Sequence, residues 1–96
     1  MHIISRKALK DFWEKHPDSE TPLKVWFKIV KATKYRSVNH LRETFPTADP
    51  VEDKVVFNIG GNKYRLITVI HFKYSKVYIR HVVTHAEYNK GGWKNG

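Results

Sequence analysis

The chain has 96 residues, of which 41% are hydrophobic, with three Trp, five Tyr, five Phe and no cysteine. This length fits one domain, the aromatic content argues against disorder, and the lack of cysteine excludes disulfides and cysteine-ligated zinc. Eighteen Lys and Arg face nine Asp and Glu, and from Lys54 to Gly96 eight basic residues accompany one acid, Glu87. A field of this sign attracts polyanions, so nucleic acid is the expected partner, with a solvated basic surface as the alternative.

The N-terminal residues show no secretory signal pattern, because charge appears at Arg6 with no apolar segment behind it. The longest mainly apolar stretch, Leu66–Phe72, is far too short to span a bilayer. We therefore expect a cytoplasmic protein that does not contact a membrane.

The N-terminal third predicts a short strand followed by a helical hairpin. Residues 2–4 favour a strand, and Ser5 can cap a helix over residues 6–16, where apolar side chains recur at helical spacing. A second amphipathic helix should begin with Thr21 as its N-cap and Pro22 in its first helical position. Two consecutive helices joined by a short turn indicate a helical hairpin.

The segment that follows predicts a short helix and a loop. Ser37 should cap a helical piece that Pro46 ends, since proline cannot continue a helix. Residues 47–53 are mostly polar and carry no apolar periodicity, so they predict a polar loop between the helices and the strands that follow.

The C-terminal half predicts an antiparallel meander. Lys54–Ile59, Lys63–Phe72 and Val77–Thr84 read as strands, and residues 60–62 (Gly-Gly-Asn) form a tight turn with positive φ. The expected fold class is α+β, with a short N-terminal strand and a two-helix hairpin packed on a small antiparallel sheet. The chain should form a single domain, and residues 89–96, which hold three of the five glycines, should be a flexible tail.

The period of two along each strand divides the predicted sheet into two faces. One face should pack under the helices, whereas the other should carry arginine among small apolar residues as a half-open, anion-binding surface. On the last strand, strict alternation places the even-numbered residues of 78–84 on one face and the odd-numbered residues of 77–83 on the other.

Metal-dependent and serine-based catalysis find little support in the sequence. A magnesium nuclease needs two or more converging carboxylates, and the basic half has Glu87 alone. No zinc-hydrolase motif and no serine nucleophile motif occurs. We therefore expect no metal and no cofactor. RNA can still be cut, because its 2′-hydroxyl attacks the adjacent phosphodiester when a protein orients it, neutralises the developing charge and moves two protons.

Two strand arginines are the candidate phosphate ligands. The guanidinium groups of Arg65 and Arg80 offer a planar fork that matches two phosphate oxygens and stays charged. Alternatively, either side chain extends to the sheet edge or pairs with Glu87. Lys54 and Lys63, which flank the hairpin turn, are candidate RNA guides, or solvated lysines at strand ends.

The residues after the last strand are the candidates for proton transfer. If the chain turns helical there, His85 and Tyr88 are three residues apart and share a face, so an imidazole and a phenol lie together. Tyr88 could also stack on a base. Thr84 and Glu87 are better explained as a capping box. Lys90 is a further candidate for RNA binding.

Taken together, these motifs resemble the HigB-type toxins of the RelE superfamily, and the likeness covers nearly the whole chain. The segments that carry it are Ala8–Trp13, Phe57–Leu66, Tyr78–Arg80 and Thr84–Tyr88. The resemblance implies a fold related to microbial ribonucleases and mRNA cleavage, often on the ribosome. It also implies a cognate antitoxin, usually with a helix-turn-helix, and contact with operator DNA only through the toxin–antitoxin complex.

The resemblance also assigns roles to individual residues. Arg65 and Arg80 match the family's strand arginines in the cleavage groove, and His85 and Tyr88 match its C-terminal catalytic motif. Asn89 departs from the pattern, since many relatives have Asp there, which puts in question any proton-moving or histidine-orienting role at this position.

Two other functions stay open at this point. The first is a non-catalytic RNA-binding module, although the chain has neither the GxxG of KH domains nor the aromatic motif of RRM domains. The second is a co-repressor that binds operator DNA together with its antitoxin.

Overall fold

Three helices cover one face of a five-stranded sheet in the computed structural model, which describes residues 1–95. The α+β class is therefore confirmed. Among those residues, no helix has the length and apolar character needed to cross a membrane. The helices are α1 (Arg6–Lys15), α2 (Glu20–Ala32), α3 (Val38–Thr44) and α4 (His85–Lys90), and the strands are β1 (His2–Ile4), β2 (Asp49–Val51), β3 (Lys54–Ile59), β4 (Tyr64–His71) and β5 (Lys76–Thr84).

The sheet is wider than the predicted three-stranded meander. Its strand order is β1-β5-β4-β3-β2, with β1 parallel to β5 and the other neighbours antiparallel. The prediction of a loop over residues 47–53 is wrong, because Asp49–Val51 pairs with the start of β3. This strand is only three residues long and contains Pro50, which an edge strand tolerates but which hides the alternating pattern.

The second helix begins earlier than predicted. A single-turn 3₁₀ helix, Pro17–Ser19, leads directly into α2 at Glu20, so Thr21 is not its N-cap. Pro22 still lies within the first turn, where the missing N–H has no intrahelical partner to lose. The sequence pattern located this helix correctly and misplaced its first residue.

Side-chain caps set the ends of the two short helices. Before α3, the backbone N–H of His40 donates to Ser37 Oγ at 3.1 Å, as expected. Before α4, the backbone N–H groups of Thr84 and Glu87 each donate to the other residue's side chain, which confirms the capping box. The backbone hydrogen bond from Thr84 lowers the pKa of Glu87 below its ordinary value. Ser5 stands at the N-cap of α1 but makes no side-chain hydrogen bond there.

Both faces of the sheet are packed. The main core lies between the helices and the sheet; its fully buried larger members include Leu9, Leu23, Trp26, Val30, Leu41, Phe57, Leu66 and Val77. On the opposite face, Val56, Ile67 and Trp93 form a smaller buried cluster. This second cluster positions the C-terminal segment on the sheet.

The predicted flexible tail contains helical structure over its described part. Helix α4 continues through Lys90, Gly91 ends it with a φ of 76°, and a 3₁₀ turn spans Gly92–Asn95. Trp93 is only 6% exposed. The glycine supplies the left-handed residue at the helix end, and burial of the indole holds the segment. Gly96, the last residue of the predicted tail, lies outside the described residues.

A β-bulge reverses the alternation within β5. Thr68 pairs with Ile79 and Ile67 pairs with His81, so Arg80 is the extra residue. Strict alternation over 77–84 is therefore wrong, because the insertion changes which residues point towards the helices. The β5 residues that pack against or within the main core are Val77, Ile79 and Val82.

A polar cluster joins the turn before α2 to the start of β4. The Tyr64 hydroxyl donates to Asp18 at 2.6 Å, and Lys63 Nζ lies 3.1 Å from the same carboxylate. The hydrogen bond from Tyr64, followed by that from Lys63, lowers the pKa of Asp18 below its ordinary value. The residue that follows Tyr64 is Arg65, so this cluster fixes the strand end that carries that arginine.

We expect Asp18→Asn to destabilise the fold most at neutral pH. A depressed folded-state pKa stabilises the protein above the unfolded value of about 4, and this stabilisation is lost as the pH falls through the folded-state pKa. The difference in melting temperature between the variant and the wild type should therefore be largest near pH 7 and should shrink as the pH is lowered to about 3. Asp11→Asn, which removes an exposed pair with Lys7, is the control. A difference independent of pH would contradict the assignment.

Candidate active site

A cleft of about 320 Å³ opens between α3, the segment leading into β2, the strands β3 and β4, and α4. Its walls combine cationic, carboxylate, amide, hydroxyl and aromatic groups. The polar and aromatic lining residues are Arg42, Thr47, Asp49, Asn58, Arg65 and Tyr88. Within residues 1–95, no three His, Asp or Glu side chains lie close enough together to hold a metal ion.

Arg65 is the central charge of this cleft. It is 9% exposed, its Nη1 donates to the Tyr64 carbonyl at 3.2 Å, and its Cζ lies 5.5 Å from the centre of the Tyr88 ring. No Asp or Glu of residues 1–95 forms an ion pair with it. A guanidinium carries five N–H donors, and a buried charge without a counter-ion is costly, so this placement favours an anionic ligand in the cleft.

Tyr88 reaches the same cleft from α4. Its ring is half-buried and stacks on Trp93, with ring centres 4.9 Å apart and planes inclined by 8°. The capping box between Thr84 and Glu87 fixes the first turn of this helix, and Tyr88 is the residue after Glu87. The structure therefore brings together Arg65 and Tyr88, two of the four residues predicted to act in catalysis.

Arg80 and His85 lie outside this cleft. Arg80 is exposed at the β5 bulge and lines a separate groove beside α1. His85 is exposed in the first turn of α4, where its backbone N–H donates to the Lys63 carbonyl at 2.9 Å. Asn89 is exposed on the same helix. The catalytic roles of Arg80 and His85 therefore stay predictions, because neither residue lines this cleft.

The three lysines predicted to bind RNA have different environments. Lys54 is only 8% exposed and its Nζ pairs with Asp53 at 3.1 Å, so it is neither a solvated strand-end lysine nor an exposed guide. The hydrogen bond from Lys54 lowers the pKa of Asp53. Lys63 is exposed and bound to Asp18, whereas Lys90 is exposed beside a second groove on the far side of Trp93.

Four polar residues of the cleft were not predicted from the sequence as site residues: Arg42, Thr47, Asp49 and Asn58. Arg42 lies in the last turn of α3 and donates Nη2 to the Pro46 carbonyl at 3.3 Å. It precedes the basic stretch that begins at Lys54, on which the predicted RNA-binding surface was based. Asn58 pairs directly with Arg65 across β3 and β4, and its side chain is exposed. An amide in an otherwise apolar strand was the available indication. Together these groups can bind a phosphodiester and contact a base.

The sequence that forms this fold and cleft matches a recognised family of proteins. The sequence model of the HigB toxin family, described as the RelE-like toxic component of a toxin–antitoxin system, matches residues 19–91. The chain belongs to this family, and the resemblance found in the sequence is confirmed.

The chain is also similar to individual characterised toxins. It is 37% identical over 92 residues to the "mRNA interferase toxin HigB" of Escherichia coli strain K12. The aligned segment covers 93% of this chain and 88% of the relative. The "mRNA interferase HigB" of Escherichia coli O157:H7 shows the same identity and coverage. The "mRNA interferase HigB" of Escherichia coli O6:H1 strain CFT073 is 30% identical over 93 residues, with 94% and 90% coverage.

Proposed function

We propose that this toxin is an endoribonuclease that cuts mRNA, without a metal or another cofactor. The observation that carries the proposal is the Arg65 guanidinium, nearly buried beside Tyr88 and without an acidic partner among residues 1–95. Such a group binds a phosphodiester strongly because its planar fork matches two phosphate oxygens. The names of the relatives, mRNA interferases, support the same activity.

In the proposed reaction the nucleophile comes from the RNA. The 2′-hydroxyl oxygen attacks the adjacent phosphorus as a base removes its proton, the bond to the 5′-oxygen breaks, and that oxygen takes a proton. The products are a 2′,3′-cyclic phosphate and a 5′-hydroxyl. Arg65 binds the phosphate oxygens and stabilises the charge that develops on them, and Arg42, which lines the same cleft from α3, adds positive charge. Tyr88 orients the scissile nucleotide. His85 lies outside the cleft, in the first turn of α4, and its role in moving one of the two protons is proposed from the family resemblance; it requires the bound RNA to reach that turn.

The remaining cations act on the RNA beyond the cleft. Arg80, Lys63 and Lys90 are exposed and hold the strand electrostatically on either side of the scissile nucleotide. Lys54 has no part in this proposal, because its ammonium is buried against Asp53.

The family implies an antitoxin partner and an mRNA substrate. We propose further that the antitoxin carries a helix-turn-helix, that cleavage takes place on the ribosome in the cytoplasm, and that operator DNA is bound only through the antitoxin complex. We also propose that the whole chain is a single toxin domain. The net charge of +9 supports association with both ribosomal RNA and an acidic protein segment.

We expect induced expression of the wild-type chain to stop growth and fragment mRNA, and co-expression of the antitoxin to restore growth. The Arg65→Ala variant should leave growth unaffected at the same protein level, because the phosphate ligand is lost. Arg6→Ala, which removes an exposed arginine of α1, is the charge-matched control and should stay toxic. High-level expression with no effect on growth, translation or mRNA integrity would contradict a toxin.

A further inference from the structure

Trp93 lies behind Tyr88 and makes two kinds of contact with that residue. The two rings are nearly parallel with centres 4.9 Å apart, and the indole Nε1 donates to the Tyr88 carbonyl at 2.9 Å. Trp93 itself is buried against Val56 and Ile67 on the sheet. A stacked ring and a hydrogen bond together restrict both the ring and the backbone of Tyr88.

The helix that carries Tyr88 depends on such anchoring. Helix α4 is six residues long, and a helix of this length is not stable by itself. Its first turn is held by the capping box and by the His85 N–H bond to the Lys63 carbonyl. After Gly91 ends the helix, Trp93 packs in the sheet cluster with Val56 and Ile67, and Tyr88 of the helix packs against that cluster.

The contacts continue from Tyr88 to the central cation. The Arg65 Cζ lies 5.5 Å from the Tyr88 ring centre, so Trp93, Tyr88 and Arg65 form a continuous series of stacked groups. Within residues 1–95, the Arg65 guanidinium donates to the Tyr64 carbonyl, and the Tyr88 ring restricts the remainder of the group. Displacement of the Tyr88 ring would therefore also leave the Arg65 guanidinium less restricted in the cleft.

We propose that Trp93 is a positioning residue for RNA cleavage, which fixes the Tyr88 ring and, through it, the Arg65 guanidinium. This inference rests on the proposed function. It assigns a role to the segment after α4, which the sequence alone presents as a glycine-rich tail. Trp93 does not line the Arg65 cleft itself, so it acts through Tyr88 and not on the RNA there.

The test compares variants that keep or lose the stacked ring. Trp93→Phe retains an aromatic ring, whereas Trp93→Met keeps apolar burial without one. We expect Trp93→Met to lower kcat by about 10- to 100-fold, since a catalytic group displaced by about 1 Å can cost 10²-fold, with KM nearly unchanged. Trp93→Phe should retain most of the activity. Val51→Ala, which trims the same apolar cluster from β2, is the control for stability.

A double-mutant cycle separates positioning from general destabilisation. In a Tyr88→Ala background, Trp93→Met should cause little further loss of kcat, because the group that it positions is already absent. The proposal is overturned if Trp93→Met cleaves at the wild-type rate, if its loss is the same with and without the Tyr88 ring, or if activity falls only with the unfolded fraction. A wild-type chain that fails to cut mRNA would instead contradict the proposed function.

Discussion

Arg65→Ala should lower the rate of mRNA cleavage by about 10²- to 10³-fold, the usual cost of removing one preorganised donor from a developing negative charge. The guanidinium is nearly buried, so its charge acts on the phosphate in a region from which water is partly excluded. Arg65→Lys should recover only part of the rate, because an ammonium keeps the charge and loses the planar fork. Single-turnover cleavage under saturating enzyme measures the effect on the chemical step.

The same measurement on Arg80→Ala distinguishes the family resemblance from the geometry of the cleft. Arg80 is exposed at the β5 bulge and lines a different groove, so its loss should weaken RNA binding more than the rate of the chemical step. For single-stranded RNA, each lost phosphate contact should reduce the salt slope by about 0.7. Equal losses of rate for Arg65→Ala and Arg80→Ala would contradict the Arg65-centred site, and thermal unfolding of both variants would show whether the fold is intact.

The second large effect is expected at His85. A general acid or base contributes about 10²- to 10⁴-fold in rate, so His85→Ala should cause a loss of that order if the imidazole moves a proton. The fold should be preserved, because the side chain is exposed and its helix contact is made by the backbone. A His85→Ala protein that cuts mRNA at the wild-type rate would remove His85 from the mechanism.

Tyr88 variants define what its phenol contributes. Tyr88→Phe keeps the ring that contacts Trp93 and Arg65 and should retain most of the rate, whereas Tyr88→Ala should not. Orientation is the role assigned to Tyr88 because its contacts with Trp93 and Arg65 are made by the ring. If Tyr88→Phe is as slow as Tyr88→Ala, the hydroxyl itself takes part in proton transfer.

Local patterns in the sequence predicted the local elements of the fold. The bounds of β3 and the glycine turn at residues 60–62 follow from strand alternation and the need for positive φ. The capping box at Thr84 and Glu87 follows from residue spacing. These features depend on neighbouring residues, and a single sequence contains that information directly.

Features that depend on distant contacts were not predictable in the same way. The bulge at Arg80 is fixed by pairing with β4, and no residue of β5 marks it, so strict alternation assigned the wrong faces. Trp93 looked like part of a loose tail because the glycines before it were read without the buried cluster that holds it. Arg42 enters the cleft only because α3 packs beside the sheet, whereas Arg65 and Tyr88 could be paired through the family likeness.

The chemistry of the RNA ends is the most direct test of metal-free cleavage at the Arg65 cleft. Fragments from cells expressing the wild-type toxin should carry 5′-hydroxyl and 2′,3′-cyclic phosphate ends, because the attacking oxygen belongs to the RNA. The same ends should be absent with Arg65→Ala at equal protein level. Fragments with 5′-phosphate ends, or a free-RNA activity that disappears with EDTA and returns with Mg²⁺ or Mn²⁺, would contradict the proposed mechanism.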